Sequence, residues 1–542
     1  MWRHVVNFFE DRPPKPNSLL LLYSLTATIF FVVLLILFFE PRWETNDDVA
    51  MSMIAHGYGI AVKGHPPTLM FSNILWGYLV RAIPEVKGIL GYSLATLAVL
   101  VISGSAITYG MFRLGLGYVG CLSSLVLLLA RPILFPQFTI NAGLLMVAAI
   151  VCANLYIKKN DRYVLLAGCF FAFISYLVRS QEFLLVFIVA LPVTPWRALF
   201  LNTYARKAVF LLLFTISTSA FIDHQAYQGA DWKPFNDLNP VRASFTDFGA
   251  GEYLKKRPEI LQQHGYSFND VDLVTHWFFT DKNVANPKAL LAMLDELGPL
   301  PVQANAFNNA YIGVQALGHP VLLTTVLAAL LLAALRPSWN VVVCWGMCIA
   351  AIFILGLLGR PGIIRVYVPL TCLLLILPFL VGKTSGWRKH LTAGVLLIAA
   401  IVNSTIVFSE SKTLQKTAVD TRNNFATYPN YPVIIWGSSF PYQDIYTPYS
   451  ASPQAMLYKH FGLGTSTLAP FSLANLEQSE RRGMNLFING AGASIMLNRE
   501  HITMLEKYCT ERLQGKFKLL STDHFGSHEL NKFSCNLINK DN

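Results

Sequence analysis

Apolar runs of about 17 to 22 residues recur through the first three quarters of this chain, and that is the length an α-helix needs to cross a hydrocarbon core. A chain built around such runs is a polytopic membrane protein. Composition agrees: 54% of residues are apolar and only 13% charged. The formal net charge is +11, but the basic residues are scattered through short loops instead of forming a patch, so they serve membrane orientation and do not point to nucleic acid. The segment 19–39 is too long for a cleaved signal peptide, and Glu40-Pro41-Arg42-Trp43 offers no small-residue cleavage site, so it is expected to stay as the first span.

Candidate spans lie at 19–39, 88–110, 115–131, 138–157, 163–179, 183–195, 207–222, 318–335, 338–358, 365–381 and 390–408. The short run 68–83, which follows His65-Pro66-Pro67, decides the topology. If it lies in the interface, Arg113, Lys158, Lys159, Arg162, Arg197, Arg206, Lys207, Arg336, Lys383, Arg388 and Lys389 all share the side of the N-terminus, which the positive-inside rule makes the cytoplasm. If it crosses, nearly every basic loop moves outside. The expected architecture is therefore about eleven spans plus juxtamembrane helices. It comprises a transmembrane region 1–408 with outer loops 40–87 and 223–317, then a smaller α/β region 409–542 on the same outer face.

On that face stand the adjacent acids Asp47 and Asp48. Charge near hydrocarbon costs roughly 2.5 to 3.5 kcal/mol per group at a helix centre, so acids kept beside a bilayer suggest function. No cytoplasmic loop is long enough to hold a nucleotide, and the chain has neither a Walker-type phosphate loop nor a dinucleotide fingerprint. A donor for group transfer must then arrive in the membrane, lipid-linked, with its phosphate at headgroup depth. Arg179, Arg360 and Arg365 stand at outer ends of spans, where planar guanidinium forks suit phosphate, and His65 is a further donor. A carboxylate that takes a hydroxyl proton in the transition state accelerates transfer roughly 100- to 10,000-fold. The same acid pair can bind Mg²⁺ or Mn²⁺, although two carboxylates are too few for a complete site.

An acidic pair soon after the first span, an amphipathic stretch 49–59 ending in a glycine turn, His65-Pro66-Pro67, a polar outer loop and the late Arg365-Val366-Tyr367-Val368-Pro369 together resemble the GT-C superfamily of integral-membrane glycosyltransferases, over about residues 19–408. The resemblance implies a polyprenyl-phosphate or polyprenyl-diphosphate sugar donor, inversion at the anomeric carbon, and a first-loop Asp as base. The acceptor would be a glycan, lipid or protein of the cell envelope. Carried over, Asp47 takes the acceptor proton and Asp48 orients the site or assists a metal. Many relatives read Asp-Glu where this chain has Asp47-Asp48, and several place a Lys where it has arginines and histidines, which leaves open which acid is the base. The competing reading is a transporter or flippase of a lipid-linked glycan, which calls for broken helices, polar residues near the midplane and repeated halves.

Each residue also has a purely structural use. Asn46, Asp47 and Asp48 can cap a helix start, Arg179 can snorkel, His65 can hold a turn, and Glu182 can pair with Arg179. In the loop 223–317, Asn239-Pro240, Asn286-Pro287 and Ser267-Phe268-Asn269-Asp270 are helix-start signals. Trp232 and Trp277 there offer flat faces to an acceptor sugar or pack at the interface. Past residue 409, strands are expected at 433–437, 485–490, 516–520 and 528–534, with a helix at 499–513. Six of the eight cysteines lie in apolar runs, whereas Cys509 and Cys535 can form a disulfide on an oxidising side. Gly437-Ser438-Ser439 and Gly490-Ala491-Gly492-Ala493-Ser494 follow expected strands without forming a nucleophile elbow, which favours an accessory or acceptor-binding role for this region. A lone Asn-x-Ser/Thr site, Asn403-Ser404-Thr405, falls inside a span, which favours a bacterial inner membrane.

Overall fold

In the computed structural model, which describes residues 17–61, 66–300, 305–381, 386–450, 452–476 and 482–537, all eleven apolar segments are helical. Among the described residues, seven helices are long and apolar enough to cross a membrane alone. The segments 115–131, 163–179 and 183–195 form the shorter helices Tyr118–Leu134, Arg162–Val178 and Ser180–Val193, and 318–335 is the second limb of a pair, Ala306–Gly318 and Pro320–Leu335, bent by 75°. The bend falls at Gly318-His319-Pro320, where the proline cannot continue the incoming helix.

The 68–83 run holds only the nine-residue helix Ile74–Ala82. At about 1.5 Å per residue it spans about 13.5 Å, less than half a hydrocarbon core. It lies against the Thr203–Ala226 helix, with the Ile74 N–H donating to Asp223 at 2.7 Å and the Asn73 side chain donating to the Ser219 carbonyl at 3.1 Å.

Phe138–Lys159 is the central helix: 89% of its apolar window is buried, against 17% for Thr203–Ala226 at the rim. Gly143 brings it against Ile364–Val381, since a Cβ there would lie 2.2 Å from Pro369. The last span belongs to the 38-residue helix Trp387–Asn424, about 57 Å long at about 1.5 Å per residue, so it carries the chain well beyond any bilayer.

That helix delivers a five-stranded sheet of order β2-β1-β3-β5-β4. β1 (Pro432–Trp436) lies parallel to β2 (Lys459–Leu463) and β3 (Ala493–Met496), while β5 (His528–Leu537) runs antiparallel to β3 and to β4 (Gly515–Phe525). Val433, Ile434, Ile435 and Trp436 are all buried, so β1 has both faces covered. One face packs on the first loop, after the Asn17–Phe38 helix, through Trp43, Val49 and Ile54, the other on the loop after the Thr203–Ala226 helix through Leu238, Phe245 and Phe278. The first loop also extends the sheet edge, because the His460 N–H donates to the Gly59 carbonyl at 3.0 Å and Leu473 N–H to Ile60 at 2.9 Å.

Local expectations divide. Ser267 and Asp270 form a full capping box, Asn286 caps the helix opening at Pro287, and Cys509 is bonded to Cys535. Asn239-Pro240 starts nothing: a helix already begun at Lys233 runs through Pro240 to Thr246. The 485–490 segment is a single helical turn, Asn485–Ile488, between Gly483 and Gly490 at positive φ, and the strand is the following Ala493–Met496. A short apolar run fits either state, and here the glycines close it into a turn.

Candidate active site

Asp47 and Asp48 sit in the first turn of the Asn46–His56 helix, whose N-cap Thr45 makes no side-chain cap bond, and neither acid caps its own helix. They face opposite ways. Asp48 is fully buried, with one oxygen accepting from the Tyr92 hydroxyl at 2.9 Å and the Phe138 N–H at 3.0 Å, and the other from the Thr45 hydroxyl at 3.1 Å. Phe138 carries the first amide of the central helix, so Asp48 satisfies an orphan donor of that helix. Burial pushes its carboxyl up to about 8, with the Asp47 charge adding and the donors from Tyr92, Phe138 and Thr45 opposing. Tyr92 secures the far end of the same helix too, its N–H donating to His56 Nε2 at 3.1 Å.

Asp47 faces outward to Arg365, 3.1 Å away, with a third of each side chain exposed. It lines a cavity of about 150 Å³ whose near wall is Asn46, Ala50, Met70 and Phe71. The far wall is Gly437, Tyr442 and Gly462 to Ser466, at the C-terminal ends of the parallel strands β1 and β2. Ligands of open parallel sheets bind at such strand ends, where successive loops diverge. A larger groove, about 620 Å³, runs over the other sheet face past Ile434 and Lys532 and contains neither acid. The smaller cavity is the one lined by Asp47.

The expected phosphate-binding arginines take different partners, although Arg179 lies within electrostatic reach of both Arg365 and Arg360. Arg365 is at the acid. Arg179, at the break between Val178 and Ser180, bonds the Phe71 carbonyl at 3.3 Å and lies over the Phe71 and Phe138 rings, within electrostatic reach of Asp47 and Arg365. Arg360 pairs instead with Asp247 of the loop after the Thr203–Ala226 helix at 3.4 Å. Asp247 also meets Arg242, whose guanidinium covers the Trp277 ring at 4.6 Å, so that ring face is occupied. Trp232 is buried among Tyr227, Phe235 and Phe471 and offers no flat face to a sugar. Glu182 is buried with one oxygen unbonded, and no ion pair within 4.0 Å joins it to Arg179. His65 lies outside the described residues.

The acid pair is a poor fit for Mg²⁺ or Mn²⁺. Asp48 spends three acceptor sites on protein donors, Asp47 faces a cation, and among the described residues no third carboxylate or imidazole joins them. What the sequence did not single out is Tyr92, Tyr442 and the Gly462 to Ser466 loop. The glycine and hydroxyl residues of Gly464-Thr465-Ser466 were a usable signal, since they close the strand Lys459–Leu463.

Fold and site together define a multi-pass helical membrane protein with an acid–guanidinium pair under an extramembrane α/β layer. No family model and no curated protein sequence matches the chain. Among solved structures, that of ArnT from Cupriavidus metallidurans bound to undecaprenyl phosphate is similar over 95% of this chain and 96% of its own, at 12% sequence identity and a TM-score of 0.37, a likeness too distant to assign this chain an activity.

Proposed function

We propose that the chain is a GT-C-type inverting glycosyltransferase that moves a sugar from a polyprenyl-phosphate-linked donor to a cell-envelope glycan, lipid or protein on the outer face of a bacterial inner membrane. The observation that supports it is the Asp47–Arg365 pair, whose acid lines the cavity between the first loop and the strand ends. On this reading Asp47 is the base, because it faces the cavity while Asp48 is spent on three donors. The donor phosphate draws Arg365 away from Asp47, with Arg179 alongside. The freed carboxylate takes the acceptor hydroxyl proton as the oxygen attacks the anomeric carbon from the face opposite the phosphate. The bond from that carbon to the phosphate oxygen breaks, its electron pair leaves with the phosphate, and the guanidiniums hold the growing charge. Asp48 and Tyr92 position the helix. The loops at 437 and 462–466 contact the acceptor, and the N-terminus lies in the cytoplasm.

Transfer from a polyprenyl-phosphate sugar, measured in membranes matched for protein amount, tests this. Loss in Asp47→Asn and Arg365→Gln supports it, and undiminished transfer in Asp47→Asn removes the base. The 75° helix break at His319 favours the second reading, a flippase or transporter of a lipid-linked glycan. Movement of a labelled glycolipid across vesicles that persists in Asp47→Asn would select it.

A further inference from the structure

We propose that His276, Glu500 and His501 form a binding site for a divalent transition metal of the zinc type, joining the second outer loop to the C-terminal sheet. Their ligand atoms all lie within 4.8 Å of one another. His276 follows the Phe268–Thr275 helix of the loop, whereas Glu500 and His501 lie in the first turn of the Arg499–Lys507 helix, so the three side chains meet across an interface.

The His276 imidazole is held as a ligand usually is. His276 Nδ1 lies 2.8 Å from the Asp272 carbonyl, which can only accept, so the proton sits on Nδ1 and Nε2 presents its lone pair. The Trp436 indole N–H donates to the His276 backbone carbonyl at 2.6 Å, and the Trp436 ring stacks on His501 at 4.7 Å with 5° between planes. His501 is only 5% exposed, and its Nδ1 has no hydrogen-bond partner, a rare state for a buried imidazole nitrogen. Its Nε2 lies 3.9 Å from the Glu500 carboxylate, which is largely exposed and free to swing. Two imidazoles and one carboxylate are a zinc donor set, with a fourth position left for water, whereas Mg²⁺ and Ca²⁺ prefer all-oxygen shells.

The interface is already tied by Arg512 to Asp270 at 2.8 Å, Tyr508 to Asp281 at 2.7 Å and Asn269 to the Met504 carbonyl at 3.1 Å. A metal at the three side chains adds a tie beside Trp436, the residue before Gly437 of the cavity wall. This site is independent of the transfer reading and does not rest on it.

The test uses the full-length protein purified without a histidine tag, stripped with chelator, loaded with Co²⁺ or Zn²⁺ alone and dialysed. About one retained equivalent by mass spectrometry, with a Co²⁺ absorption of tetrahedral intensity, is expected, and Glu500→Gln and His276→Gln are each expected to weaken retention at least about tenfold. No metal retained above buffer, or equal retention in both variants, overturns the proposal. His501→Ala empties a buried position and can fail to fold, so the two more exposed variants carry the decision.

Discussion

The membrane bundle and the extramembrane layer above it are built from the same chain by opposite means. In the bundle each helix satisfies its own backbone, and neighbours need only apolar surface and an occasional close approach such as Gly143 on Pro369. In the layer, three remote pieces are sewn together by charge: Arg42 to Asp444 at 2.6 Å, Arg422 to Glu40 at 2.8 Å, and Arg131 bridging Glu44 and Glu410 at 2.9 and 2.7 Å. The alternate residues Glu40, Arg42 and Glu44 each reach a different partner. The candidate site lies on the seam, its acid from the first loop and its guanidinium from the start of a late span, 318 residues apart. Bundle substitutions should therefore act on stability alone, whereas the seam holds both the residues that act on activity and the straps that join the regions.

The largest expected effect is on activity alone. Asp47→Asn keeps the shape of a partly exposed side chain and should lower transfer about 100- to 10,000-fold, with the thermal midpoint nearly unchanged. A comparable fall in the midpoint would mean that Asp47 is a structural strap and that the seam does not separate the two properties. Next comes the strap that joins the regions. Arg131→Met leaves Glu44 and Glu410 facing each other without their cation in a mostly buried setting, and should cost about 3 to 5 kcal/mol by denaturant or thermal unfolding in detergent.

Legibility in the sequence follows the same division. The apolar runs, the absence of a spanning helix over the described residues 68–83, the capping box at Ser267 and the Cys509–Cys535 bond could all be read, because each depends on neighbours in sequence or on a choice among few cysteines. Charge sidedness even brought Asp47 and Arg365 to one face. Pairings across the seam could not be read: nothing near Arg360 announces Asp247, and nothing near Trp232 says that Phe471 will cover it. Pro240 and the 485–490 turn went astray because local start and strand signals were outvoted, by a helix already under way from Lys233 and by flanking glycines at positive φ. Asp48 was hardest, since its adjacency to Asp47 suggested partnership while its hydrogen bonds lead into the bundle.

A bundle substitution sharpens the contrast from the other side. Gly143→Ala places a Cβ 2.2 Å from Pro369, and overpacking of this kind should cost about 1 to 3 kcal/mol while lowering transfer per folded molecule little. If transfer falls with stability unchanged, the central helix moves during the reaction and the bundle is not merely a support.

The smallest effect is a slope. Asp48 has its carboxyl raised to about 8 in the folded chain, against about 3.9 when unfolded. Between those values the folded chain holds a proton that the unfolded chain has released. Stability from this group is therefore complete below about pH 4 and is lost as pH rises through about 8, at no more than about 1.4 kcal/mol per pH unit. Asp48→Asn cannot titrate yet keeps an oxygen toward Tyr92 and Phe138, so its thermal midpoint should fall less steeply than that of the unsubstituted protein between about pH 5 and pH 8. Parallel slopes would mean that the three donors hold Asp48 ionised throughout, and the seam would then carry two anions beside Arg365, not one.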